Sequence, residues 1–289
     1  MLPLLHIQTG GPRWLQWSLH PDALLLCIVL GYAYYYCVTE LRPRISDAGK
    51  VRRSQAVLFY LGVASLYAAG GSPLHDIGEQ YWLTAHMVEH LIFGLVAAPL
   101  LVAGTPSWLW RAILCGPKVY PIARVLTKPA VAFTLFNALL VLTHLPRIMD
   151  AALQVGALHF SLHMVLVTSA MLMWWPILSP LEELPRPAAP YQMGYLFLQS
   201  ILPAVIASFI TFADHPVYPL YDRAPRLLHL SAVTDQQIAG GIMKLAGSAI
   251  LWSFVTVIFF RWYNREQAES QEPRWEDVEA ELKEIGIGH

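Results

Sequence analysis

Four histidines stand in two pairs of identical spacing: His86 with His90, and His159 with His163. Four residues on a helix is just over one turn, so each pair sets two imidazoles on one face, about 6 Å apart along the axis. Neutral imidazole ligates copper and zinc, and a metal-bound ring needs an acceptor on its other nitrogen to fix the tautomer. Two such pairs supply four nitrogens, enough for one tetrahedral ion or two linear Cu(I) ions. Asp235 and Glu89 are the carboxylates placed to orient a ring, and His144 and His75 are candidate access or accessory ligands. Met87 and Met164 each directly follow a histidine, so they face a different direction, toward core or lipid.

The elements that must carry these residues are apolar. Of 289 residues, 56% are hydrophobic and only 13% charged, and the mean hydropathy is +0.46. A soluble domain carries roughly 25% charge, so an all-α integral membrane protein is expected. A span needs about 20 apolar residues. Seven stretches approach this: 22–38, 54–70, 83–104, 129–143, 158–178, 193–213 and 236–262. The expected organisation is an N-terminal segment over 1–21, a seven-helix transmembrane bundle over 22–262 and an acidic tail over 263–289, with helical spacing at 275–285. Pro99, Pro106 and Pro203 are expected to kink or end helices.

Lysine and arginine orient the bundle. Fourteen of the 19 lie in the first, third and fifth loops and the tail, against four on the other side. The excess marks the cytoplasmic face, putting the N-terminus outside and the C-terminus in the cytoplasm. On that topology ten of the 11 histidines lie at the outer face, His289 excepted. His75 falls in a short polar outer loop, and His86, His90, His144, His159 and His163 fall at outer span ends. Asp235, Gln236 and Gln237 open the last span at the same level. His6, His20, His215 and His229, taken singly, are most simply interfacial anchors.

Other features point less far. The segment His86-Met87-Val88-Glu89-His90 matches HxxEH, a zinc-protease pattern with Glu as general base, but no second motif supports it. Lys244 lies about two turns into the last span and requires a partner there. Cys27, Cys37 and Cys115 are scattered, which suggests no disulfide framework; Cys27 is most simply a small core residue. The first 21 residues lack a basic segment leading into an apolar core, so no cleaved signal is expected. A net charge of −1 with no basic stripe makes no case for nucleic acid.

Several segments, in order, resemble the CtaG family of polytopic assembly factors for caa-type cytochrome c oxidases. They are SPLHDIGEQYWLTAHMVEHLIFGLVAAPLLVAGTP, THLPRIMDAALQVGALHFSLHMVLVTSAMLMWWPIL, ADHPVYPLYD and DQQIAGGIMKLAG, within a match over about 17–262. The resemblance implies a seven-span protein of the bacterial plasma membrane that matures the oxidase by supplying copper to the CuB centre. The family's HMxxH falls on His86 and His90, its fifth-span histidines on His159 and His163, the histidine after its fourth span on His144, and its DQQ on Asp235, Gln236 and Gln237. Glu89 departs from the pattern, which more often has Gln there, and adds a charge beside the site.

The expectation is therefore a non-enzymatic assembly factor that binds Cu(I) at His86, His90, His159 and His163, with His144 and His75 accessory and Asp235 orienting a ring. Its partners would be a periplasmic copper donor, the oxidase catalytic subunit and the bilayer; a homodimer is compatible with the sequence. A membrane haem or quinone protein and a copper transporter are the rival readings.

Overall fold

The structure, a computed structural model, describes residues 20–45, 48–226 and 229–271. The helical segment expected at 275–285 and His6 lie outside the described residues. All regular structure among the described residues is helical. In chain order the helices are α1 (Pro21–Tyr36), α2 (Arg53–Gly70), α3 (Pro73–Gln80), α4 (Leu83–Leu91), α5 (Ala98–Gly104), α6 (Ser107–Leu114) and α7 (Tyr120–Leu126). Then come α8 (Pro129–Thr143), α9 (Pro146–Gln154), α10 (Gly156–Leu178), α11 (Ala189–Phe212), α12 (Pro219–Arg223) and α13 (Ala232–Gln271).

Among the described residues, five helical runs are long and apolar enough to cross a membrane: Pro21–Arg44, Leu83–Gly104, Gly156–Leu178, Ala189–Phe212 and Ala232–Glu269. The count becomes seven when two bent pairs, α2 with α3 and α7 with α8, each serve as one span. These correspond to the second and fourth expected stretches, where length is the difficulty. The 15 residues of α8 reach only about 22 Å, short of a hydrocarbon core of about 30 Å. Such helices have the make-up of a multi-pass membrane protein.

Two runs form the centre of the bundle. Over its most apolar window, α4–α5 is 56% buried and α10 is 56% buried, against 11% for α1 and 17% for α13. Apolar side chains gain little by leaving lipid for one another, so helices in a bilayer associate through close packing and hydrogen bonds. Both devices are present. A Cβ on Gly104 would collide with the Phe59 backbone, so α5 and α2 touch where no side chain intervenes. A Cβ on Gly240 would meet Thr211 Oγ1 and the Ala207 carbonyl oxygen, which sets α13 against α11 in the same way.

Between α4 and α5 the chain widens into a π-helical stretch, Ile92–Ala97. Pro99 is the cause: it has no N–H to offer the Leu95 carbonyl, and its ring crowds that oxygen. The widened turn frees the Gly94 carbonyl, which accepts the indole N–H of the fully buried Trp174 at 2.8 Å. The central helix is thus pinned to α10 one turn below His90. Pro203 lies inside α11, and Pro106 caps α6.

At the opposite end from the histidines, Arg111 on α6 meets Glu183 at 2.6 Å. The guanidinium's hydrogen bond holds that carboxyl below its usual range. Both groups are largely exposed, and such pairs are worth less than about 1 kcal/mol.

Candidate metal centre

The two pairs expected from spacing meet. His86 and His90 have ring centroids 4.2 Å apart on α4, and His159 and His163 are 4.1 Å apart on α10. Across the helices, His90 Nε2 lies 3.3 Å from His163 Nε2, and the His86 and His159 rings are 5.8 Å apart.

His75 reaches the same place from α3. It sits in a helix rather than the expected loop, because Pro73 starts the turn and Ser72 Oγ accepts the Leu74 N–H at 3.2 Å. Gly78 lets α3 lie directly on α4: a Cβ there would be 2.9 Å from the His86 nitrogen. The Tyr221 hydroxyl secures the contact by donating to the Gly78 carbonyl. His75 Nδ1 then lies 2.8 Å from Glu89 Oε1, and its Nε2 lies 3.2 Å from Glu79 Oε1.

Glu89 is the hub. It is fully buried, and its Oε1 is also 3.6 Å from His163 Nδ1. His75, Glu89, His159 and His163 can each place one ligand atom so that all four atoms lie within 4.8 Å of one another. Glu79 stands at the rim, 3.3 Å from His159 Nε2, where the angle makes no hydrogen bond. His20 adds an outer layer, with Nε2 3.1 Å from Asp76 Oδ1 and its ring 4.7 Å from His75.

These groups fit a cation. Among the described residues, Glu89 Oε2, His86 Nδ1, His144 Nε2 and His159 Nε2 are buried without a hydrogen-bond partner. Each buried orphan costs about 1–3 kcal/mol, and an ion held by the four-group set would recover that cost at Glu89 and His159. Three imidazoles and one carboxylate are the donors that first-row ions of the copper and zinc type take. One carboxylate balances the charge of a monovalent ion, whereas a divalent ion would leave a buried positive charge unless Glu79 joined.

Other expected residues are placed differently. Among the described residues Asp235 meets Leu83 and Thr84 and no imidazole. Its carboxylate accepts from the Leu83 and Thr84 nitrogens at 2.8 and 3.1 Å, capping α4, whose first N–H groups have no partner within the helix. Asp235→Ala is therefore expected to destabilise the protein by about 1–2 kcal/mol, with any bound metal per folded chain unchanged. Thermal unfolding beside metal analysis checks both halves. Gln236 also serves the backbone, accepting from Val217 N at 2.7 Å and donating to the Ile210 carbonyl at 3.1 Å.

His144 lies at the end of α8, outside the four-group set. His215 and His229 are exposed. Lys244 finds its partner on α11, donating to Ser208 Oγ at 3.2 Å and lying over the Phe212 ring. In the HxxEH segment, Glu89 is engaged with His75 of a separate helix. Met87 is 2% exposed, so it faces the core.

A crevice of about 240 Å³ leads to the cluster and is lined by His20, Cys27, His75, Glu79, His159 and Met164, among others. Glu79 and His20 were not anticipated as part of the site. The i, i+4 spacing of His75 and Glu79 would have signalled the first had α3 been read as a helix.

No curated protein and no solved structure matches the chain. The family model for the cytochrome c oxidase caa3 assembly factor, Caa3_CtaG, matches residues 32–265. That stretch includes every histidine of the cluster and most of the helical bundle. The chain belongs to the Caa3_CtaG family of cytochrome c oxidase assembly factors.

Proposed function

We propose that this protein holds Cu(I) at the histidine end of the bundle and supports its delivery to the CuB centre of the oxidase catalytic subunit. The observation that carries the reading is the buried set of His75, Glu89, His159 and His163, brought within 4.8 Å from three separate helices. Building such a set in an apolar bundle is costly unless a cation uses it. In this reading the bundle crosses a bacterial plasma membrane seven times, with the histidine end outside. Copper arrives from a periplasmic donor through the crevice beside His20 and Glu79. His86 and His90 border the cluster and offer the next imidazoles to an ion that leaves it.

The copper is cargo and stays Cu(I), so the protein contributes ligands and a path and no redox step. The direct contact between imidazoles, 3.3 Å at His90 and His163, favours an ion over a porphyrin, which needs an open slot between its axial ligands.

The test is made in cells. A strain whose protein carries His159→Ala/His163→Ala is expected to make oxidase with haem and little CuB, with activity reduced in proportion. Oxidase with full copper content in that strain would overturn the reading.

A further inference from the structure

His144 is built as a ligand, yet it stands apart from the cluster. Its Nδ1 lies 2.7 Å from the Leu140 carbonyl oxygen, so that nitrogen carries the proton and donates. Its Nε2 lone pair is thereby left free, and it is buried with no hydrogen-bond partner among the described residues. The Tyr218 hydroxyl donates to the His144 carbonyl at 3.1 Å and fixes the backbone beneath the ring.

The ring lines a second cavity, of about 60 Å³, inside the bundle. Its walls are largely apolar, but Met87, Met243 and Gln199 also face it. Gln199 Nε2 is a second buried orphan, because Asn137 engages only the amide oxygen, at 2.9 Å. Met87 follows His86 directly and is rotated about 100° from it, which is why it faces this cavity instead of the cluster. His90 is the shared wall. It borders the inner cavity and also a small space of about 20 Å³ lined in part by His86, His159 and His163.

We propose that this inner cavity is a second Cu(I) position, held by His144 Nε2 with the thioethers of Met87 and Met243 and reached from the cluster through His90. The inference rests on the copper reading above. The donors soften along the way: carboxylates and imidazoles at the crevice, imidazoles alone in the middle, imidazole and thioether inside. Soft donors select Cu(I) over harder divalent ions. The cavity's volume is ample for an ion together with a water molecule. Its three donors are uncharged, so a monocation there lacks the balance that Glu89 gives in the cluster, and the inner position is the weaker of the two. Movement between them exchanges one copper–nitrogen bond for another at His90 and then for bonds to His144 and sulfur. The ion remains Cu(I) throughout.

The experiment is a Cu(I) titration of the detergent-purified full chain, followed by X-ray absorption at the copper edge. Two coppers per chain are expected, with sulfur scattering growing in at the second equivalent. Met87→Leu/Met243→Leu conserves volume and fold. It should keep the first copper, weaken the second at least tenfold and lose the sulfur signal. His144→Ala should lose the second copper alone. A single copper in the wild-type chain would overturn the inner site and leave the cluster standing. So would sulfur scattering unchanged in the methionine variant. No copper in the wild-type chain would overturn both.

Discussion

Glu89→Ala is expected to weaken Cu(I) binding by about 100-fold and to lower the unfolding temperature by a few degrees. The carboxylate is fully buried and serves His75 at 2.8 Å and His163 at 3.6 Å. Partners of this kind around a metal site typically account for 10–100-fold in affinity. Alanine also leaves His75 Nδ1 buried without its acceptor, at about 1–3 kcal/mol. Glu89→Gln separates shape from charge. It keeps an oxygen near His75 and removes the negative charge that balances a monovalent ion, so affinity should fall by about tenfold while the fold holds. Competition against a Cu(I) chelator measures each case. Wild-type affinity in Glu89→Gln would show that the charge is not used.

The second large effect involves no ligand. Gly78→Val places a branched side chain where even a Cβ would be 2.9 Å from the His86 nitrogen and 3.1 Å from its Cα. Those are backbone atoms of the central helix, so α3 must lift. His75 and Glu79 ride on α3 and should leave the cluster together. Copper affinity is expected to fall about as far as in His75→Ala, and the double variant should fall little further, because both changes act through one contact. A Gly78→Val protein that binds copper like wild type would show that the seating of α3 is irrelevant to the site.

What was legible in the sequence was what a helix makes local. The i, i+4 spacing of His86 with His90 and of His159 with His163 needs no tertiary knowledge, and both pairs face the same space. The apolar runs likewise announced their helices, and α4–α5 with α10 proved central. The rest depended on contacts distant in the chain. Asp235 lies 152 residues from Leu83, whose N–H it accepts, so its capping role could not be told from that of a carboxylate orienting a ring. His75 looked like a loop residue because α3 is short and polar, and its place over the cluster depends on the seat that Gly78 provides on α4. His20, an interfacial anchor by its position in the chain alone, is held inward by Asp76. The π-helical stretch follows from Pro99, yet its consequence, the Trp174 bond to Gly94, required α10 to be in place.

The most direct measurement is the Cu(I) content of the purified protein beside His159→Ala/His163→Ala. The account predicts that copper is retained by the wild-type chain and lost from the folded double variant. Equal copper in the two, or none in a folded wild-type chain, would contradict it.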